Sequence, residues 1–408
     1  MDTLQEGIFN DNAGMNMKIE SLDISGVGGI GELHLSFSPG FNVICGPNGI
    51  GKSTILNIIA DAFSSTKTML KRNAKYEAGR YSIVYGYDKA SATSHEFDVV
   101  TFEPDRSGGT VSYDERASYV MFFKDTRFIN YQMLNAIPRD GRRSNFDIYR
   151  SMPMGISGED IKGWLANRVL FGKLDNGLTN AQLANIDYAL QSFSIMDPTL
   201  TFKTVDSHTL DVILSSQQGD IYFEYLSAGY KSCVYMIVGL IKEIELRFSE
   251  KGVRAEEFDG VVLIDEIDLH LHPSWQGKIV KALKTMFPQA QFIVTTHSPS
   301  VLQCLDGREI ISLTFEDDGS VHVKDLDLTE YGLQGWTIEE ILRDVMEMPE
   351  TTSTLFEATE REFNRAMDVG DVPAIRASYE KLKAMLHPGG MLSKLIDIQV
   401  AGLVDADD

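Results

Sequence analysis

Residues 46–53 read GPNGIGKS, the pattern G-x4-G-K-[ST], directly after the apolar run FNVIC and directly before the helically spaced STILNIIADAF. Few local patterns restrict a fold so much. A buried strand that turns through glycines into a helix aims successive N–H groups, and the positive end of the helix, at one point, which is what a polyphosphate needs. By composition, roughly one or two chains in a hundred of this length carry the pattern by chance. The flanks make chance rarer still. Lys52 adds a point charge, Ser53 offers a hydroxyl to Mg2+, and Thr54 backs the same helix turn. The expected cradle for ATP is therefore Gly46, Pro47, Asn48, Gly49, Ile50, Gly51, Lys52, Ser53 and Thr54.

Around this loop the chain alternates strands and helices. MKIESLDI (17–24) and ELHLSF (32–37) alternate apolar and polar positions as antiparallel strands do, whereas FNVIC, VVLI (261–264) and FIVTT (292–296) are continuous apolar runs. The runs SCVYMIVGLIKEIELR and QGKIVKALKTMF have helical spacing and lie between them. Such alternation predicts an α/β fold with a parallel sheet covered by helices. Four regions are expected: 1–63 as the first part of a nucleotide-binding core, 64–225 as an inserted α+β lobe, 226–328 as the second part of the core, and 329–408 as an acidic helical tail.

Two carboxylates, Asp265 and Glu266, follow VVLI at the carboxyl edge of the expected sheet, where ligands of open α/β sheets bind. Asp265 would hold the hydrated Mg2+. Glu266 would accept the proton of an attacking water. An exposed acidic turn is the plainer alternative for the pair taken alone, and the phosphate loop weighs against it. His270 and His272 form an H-x-H that could share a metal, the less favoured reading of that stretch; Asp325 and Asp327 form an Asp-x-Asp, with no suitable upstream glutamate strand to complete a nuclease metal site.

The segment LSAGYKS (226–232) resembles the signature loop of ATP-binding-cassette ATPases, usually LSGGQ, with Ala228 and Tyr230 as departures. The resemblance implies that Ser227 and Gly229 meet the γ-phosphate held by a second copy, giving an ATP-sandwiched homodimer or higher oligomer. Read by itself, Ser227 is an ordinary helix cap. His297 in TTHSP resembles that family's switch histidine, and Asp268 falls in the loop that crosses its dimer interface. A glutamine linking Mg2+ to the inserted lobe is also implied, with Gln132 in FINYQ as the candidate metal-side residue. The wording of GPNGIGKST, YLSAGYKS, LIDEIDLHLHPSWQ and FIVTTHSP, and of the tail, resembles overcoming-lysogenization-defect-like ATPases, particularly the PtuA-type subunits of Septu and retron-linked anti-phage systems. That implies an ATPase regulating an associated effector, an HNH-type nuclease, and in retron-linked systems a reverse transcriptase with its nucleic acid. A RecF- or Rad50-like repair ATPase that binds DNA directly is the alternative. Only 174 residues separate Lys52 from Ser227, too few for a long two-way coiled coil.

The net charge of −22 argues against a free-standing nucleic-acid binder. Arg139, Arg142, Arg143 and Arg150 form the one local exception, a polyanion contact or a solvated loop. No intrinsic nuclease is expected. Three scattered cysteines without a CxxC pair suggest a reducing compartment. With no long apolar run and no signal-like start, the chain is expected to be soluble and cytoplasmic, without a membrane partner.

Overall fold

Ten residues of alternating burial, Lys18–Val27 (β1), pair antiparallel with Ile30–Ser36 (β2), and the next strand, Phe41–Cys45 (β3), is buried at every position. That change from one covered face to two marks the step from an outer sheet to the central one. The computed structural model describes residues 17–65, 70–86, 92–104, 115–127, 129, 131–137, 139–141, 143–348 and 352–404. Two compact units are present, residues 1–341 and 342–408.

In the first unit β3 runs through the phosphate loop into α1 (Lys52–Ala62). The strands Gly79–Gly86 (β4) and Thr93–Val99 (β5) then complete the antiparallel sheet in the order β2-β1-β4-β5, and Val120–Phe123 (β6) joins the central sheet. Residues 64–225 are thus not one inserted lobe, since β4, β5 and β6 are built into the two sheets that carry the phosphate loop. Helices α2 (Asn145–Ser151), α3 (Ile161–Phe171) and α4 (Asn180–Met196) and the small antiparallel sheet of β7 (Thr201–Val205), β8 (Val212–Ser216) and β9 (Gly219–Tyr222) make up the remainder of that region.

The long helix α5 (Ala228–Arg247) is buried over most of its length, and its Gly239 lies 3.5 Å from the Phe123 ring for a Cβ built there. It precedes β10 (Val261–Ile264), α6 (Pro273–Met286), β11 (Gln291–Thr295), the short α7 (Pro299–Leu302), β12 (Ile310–Phe315), β13 (Val321–Val323) and α8 (Ile338–Glu340). The central sheet has the order β13-β12-β3-β11-β10-β6, parallel throughout except for the β12–β13 hairpin. This mixed sheet around a strand–loop–helix phosphate motif is the P-loop ATPase fold expected from sequence. All four residues of β10 are buried, each stabilising by about 1.5–3 kcal/mol relative to exposure. The two sheets are stapled by Gln291, whose amide donates to Ile19 O and Ser38 O at 2.8 Å and accepts from Ile19 N at 2.8 Å.

In the second unit, α9 (Thr354–Val369), α10 (Val372–Met385) and α11 (Met391–Val404) enclose Phe363, Ala366, Ile375, Leu382, Ile396 and Val400. Gly370, left-handed at φ 73°, ends α9, and the Asp371 side chain accepts from Ala374 N to cap α10. A helical tail was expected here. The helices carry their own small core.

Candidate nucleotide site

Parallel register decides which residues meet. Ile264 lies opposite Val294 and Phe123, and Thr295 opposite Ile44. The residues that follow each strand therefore emerge together: Gly46 after β3, Asp265 and Glu266 after β10, and Thr296 and His297 after β11. Sequence spacing alone would not have ordered them so.

The loop itself depends on glycine at particular points. Gly46, Gly49 and Gly51 have φ of 138°, 78° and 106°, a region L side chains avoid. A Cβ on Gly46 would come 2.4 Å from Leu313 O, whereas one on Gly49 would meet nothing within 4 Å. Gly49 and Asn48 thus face open space, Pro47 is half-buried, and Ile50 is packed at 1% exposure, anchoring the loop from below. Helix α1 begins with no side-chain cap, so its first N–H groups are left to the loop side and to any anion there. Thr54 lies under the turn at Gly28, where an added Cβ would approach its methyl at 3.0 Å.

Lys52 folds back, donating to Gly46 O at 2.8 Å and Pro47 O at 2.9 Å. Burial lowers its pKa to about 8, against the opposing influence of Cys45, Glu266, Asp265 and Asp268. Ser53 Oγ donates to Asp265 Oδ1 at 3.0 Å, and Thr295 Oγ1 donates to the same oxygen at 2.6 Å. A hydroxyl and a carboxylate that converge in this way suit Mg2+, which takes few protein oxygens and keeps water and phosphate as further ligands. The chemistry of the donor set fits.

Glu266 is half-buried beside Asp265 with φ 50°, and its N–H donates to Thr295 Oγ1 at 2.8 Å. Burial first, then Asp265, Asp268 and Asp125, raise its carboxyl above the ordinary range, while Arg127 opposes. Such a carboxylate is better suited to take a proton than a solvated one. His297 is exposed at the same edge; its backbone N–H donates to Asp268 Oδ1 at 3.3 Å, and Thr296 Oγ1 donates to that oxygen at 2.5 Å. Desolvation, then the Lys52 ammonium, lower the imidazole pKa.

The signature segment is built differently. Ser227 is exposed and caps α5, accepting from Tyr230 N at 3.3 Å. Gly229 is required because a Cβ there would sit 2.8 Å from His270 O. Tyr230 turns inward, donating to Phe193 O at 2.6 Å and meeting Trp275 edge-on, so this departure from the signature pattern anchors α5 to α4. Among the described residues no hydrogen bond joins Ser227 or Gly229 to residues 46–53 of the same chain.

Gln132 is not brought to this edge by a described contact: its side chain is exposed and its carbonyl accepts from Lys162 Nζ at 2.8 Å. Arg127 carried no sequence signal, yet it is buried with its guanidinium on the carbonyls of Asp265 and Glu266. Thr295 is a second residue passed over, legible afterwards as the hydroxyl that ends β11. His272 Nδ1 pairs with Ser274 Oγ at 2.8 Å, and among the described residues no group of three or more His, Cys, Asp or Glu is placed to hold a metal. Of the arginine cluster, Arg143 reaches the buried Glu243 at 2.9 Å, Arg139 and Arg150 are exposed, and Arg142 lies outside the described residues. Cys45 and Cys233 are buried, with thiols pushed up to about 12 by burial, and Cys304 is exposed. No described helix is long and apolar enough to cross a membrane.

Residues 21–145 match the sequence model of an AAA domain, and residues 169–303 match that of an AAA domain described as a putative AbiEii toxin of a type IV toxin–antitoxin system. The Septu protein PtuA of Bacillus thuringiensis is 41% identical over 94% of this chain and 98% of its own length. The chain belongs to the PtuA family of Septu proteins. Members differ in extent, since the chain covers 41% of the PtuA of Bacillus mycoides, at 26% identity over 78% of this chain. The Retron Ec83 probable ATPase of Escherichia coli is 34% identical over 35% of this chain, which covers 26% of that protein. An Smc head domain from Pyrococcus furiosus, solved with part of ScpA, has a TM-score of 0.47 at 16% identity, covering 81% of this chain and 99% of that one.

Proposed function

We propose that the chain is a Mg2+-dependent ATPase, that two copies close around ATP, and that the bound nucleotide state controls an effector in anti-phage defence. One observation carries the ATPase reading: Ser53, Asp265 and Thr295 are joined by hydrogen bonds at the end of a sheet, with Glu266 alongside. Lys52 and the loop N–H groups would bind the β- and γ-phosphates, with Ser53 and Asp265 holding the cation. When bound, Mg2+ neutralises charge on the phosphates. Glu266 would accept the proton of the attacking water, and His297 would face the γ-phosphate from the adjoining strand. The cleaved bond is γ-phosphorus to bridging oxygen, so ADP and phosphate leave.

Dimerisation is supported by the exposed Ser227 cap, which has no described link to the phosphate loop of its own chain. A second copy can bring the two together, and ATP would then favour the closed dimer only by binding it better than the open one. Defence is supported by family membership and by the retron-named relative. The resemblance noted above points to an HNH-type nuclease as effector, and in retron-linked settings to a reverse transcriptase with its nucleic acid.

The test has two arms. Purified E266Q with ATP and Mg2+ should elute as a dimer by light scattering and release phosphate at a small fraction of the wild-type rate; unchanged phosphate release would remove Glu266 from catalysis. Affinity purification from the native host should recover a nuclease by mass spectrometry. Recovery of recombination proteins alone would overturn the defence reading.

A further inference from the structure

Arg127 stands four residues beyond β6 and is 4% exposed. Buried charges are ordinarily met by an opposite charge. Here Nε donates to Lys124 O at 3.2 Å, Nη2 donates to both Asp265 O and Glu266 O, the latter at 3.0 Å, and Nη1 rests 3.5 Å from Met236 Sδ on α5. None of these partners is a carboxylate oxygen. Burial accordingly pushes the guanidinium pKa down, although Tyr235, Asp265, Asp268 and Glu266 oppose this.

The carbonyls it holds belong to an unusual turn. Glu266 has φ 50°, a left-handed conformation that a residue with a Cβ adopts only when its surroundings impose it. Three hydrogen bonds do so: Thr295 Oγ1 accepts the Glu266 N–H at 2.8 Å, and Arg127 Nη2 donates to the carbonyls before and after that residue's Cα. A hydrophobic residue of similar length could fill the volume beside Met236. It could not hold two successive carbonyls, which Nη2 does with its pair of N–H donors while the planar guanidinium is fixed by Nε on Lys124 O.

We infer that Arg127 is a positioning residue for ATP hydrolysis: its guanidinium clamps the carbonyls of Asp265 and Glu266, fixing the direction in which the Glu266 carboxylate leaves the sheet. The inference rests on the reading of Glu266 as the proton acceptor. Arg127 itself need touch neither nucleotide nor water. Its loss should therefore lower turnover and leave nucleotide binding alone.

The experiment is a double-mutant cycle in the full-length chain, measuring phosphate release at saturating ATP and Mg2+, KM for ATP, ADP affinity by calorimetry and the thermal midpoint. R127M should lower kcat by about tenfold or more with KM and ADP affinity within about twofold, because only the aim of the base has changed. R127K, which keeps the charge without the planar group that Nε anchors, should be intermediate. R127M combined with E266Q should be no slower than E266Q alone, since the clamp then has no base to aim. A merely structural arginine would instead lower ADP affinity and thermal midpoint together with kcat, and its loss would multiply with that of E266Q. Either of those outcomes, or wild-type turnover in R127K and R127M, overturns the inference. If R127M fails to fold, R127K is carried through the same cycle with the same criteria. Wild-type turnover in E266Q would remove the reading of Glu266 and this inference with it, whereas slow E266Q beside fast R127M removes only the latter.

Discussion

The phosphate loop and the signature segment, the two halves of the proposed site, are built on opposite plans. In the first, Ser53, Asp265, Thr295 and Glu266 come from three different elements and are already joined by hydrogen bonds of 2.6–3.0 Å. In the second, among the described residues, the Ser227 side chain bonds within its own helix turn and stands exposed, and a Cβ on Gly229 would come 2.8 Å from His270 O. One half is preorganised and costs little to rearrange at the moment of reaction. The other is a helix start with its hydroxyl turned outward. A chain built so should bind nucleotide alone and hydrolyse it in company.

The largest effect is expected from Glu266. E266Q should lose about 10²- to 10⁴-fold in phosphate release, the usual contribution of a positioned base, while keeping ATP affinity, because the amide is nearly isosteric and leaves Lys52 and Ser53 in place. Single-turnover kinetics with separate ATP titration measure the two. Loss of affinity in step with rate would mean the two halves are not separable.

Next in size is a complementation that only a shared site can give. K52A and S227R should each be nearly inactive. Mixed in equal amounts they should recover about a quarter of wild-type turnover, since in a C2 dimer half the pairs are mixed and each mixed pair holds one intact site. No recovery, with mixed dimers verified by mass spectrometry, would place both residues in one chain's pocket.

A smaller effect concerns pH. Burial lowers the pKa of Lys52 to about 8 in the free protein, so above that value an increasing share of molecules has a neutral amine. Phosphates bind the charged form better and restore its proton. ATP affinity should therefore be level in this respect below pH 8 and fall above it, by up to about tenfold per pH unit, with net proton uptake on binding. Calorimetry in buffers of different ionisation enthalpy reads the uptake. Proton release at pH 8.5 would contradict the assignment.

Why one half was more legible than the other follows from the same contrast. The phosphate loop, Asp265–Glu266 and His297 announce themselves because their chemistry is local: glycines with positive φ, carboxylates at a strand end, a helix directly after a strand. What joins them is not local. Arg127 reaches Asp265 across 138 positions, and β6 earns its place in the central sheet only by pairing with β10. The strands β4 and β5 looked like part of a lobe because alternation reveals a covered face but not which sheet covers it. Tyr230 looked like a defect in a signature pattern and is a core anchor, which burial reveals and sequence does not.

The smallest effect is the most diagnostic for Ser227, since its hydroxyl has two candidate duties. As a helix cap it accepts from Tyr230 N, and replacement by Ala should destabilise the fold by about 1 kcal/mol, by Gly only a few tenths. As a ligand for a γ-phosphate on a second copy, the hydroxyl is lost equally in either replacement. S227G should therefore keep nearly all the thermal stability of wild type and yet show the same weakened ATP-dependent dimerisation as S227A. If S227G dimerises and turns over normally while S227A loses stability, the hydroxyl is a cap and nothing more, and the contact across the dimer must fall to the N–H groups at the start of α5. If both lose dimerisation equally, the hydroxyl is a ligand across the dimer, shown by a pair of variants that differ in stability and agree in function.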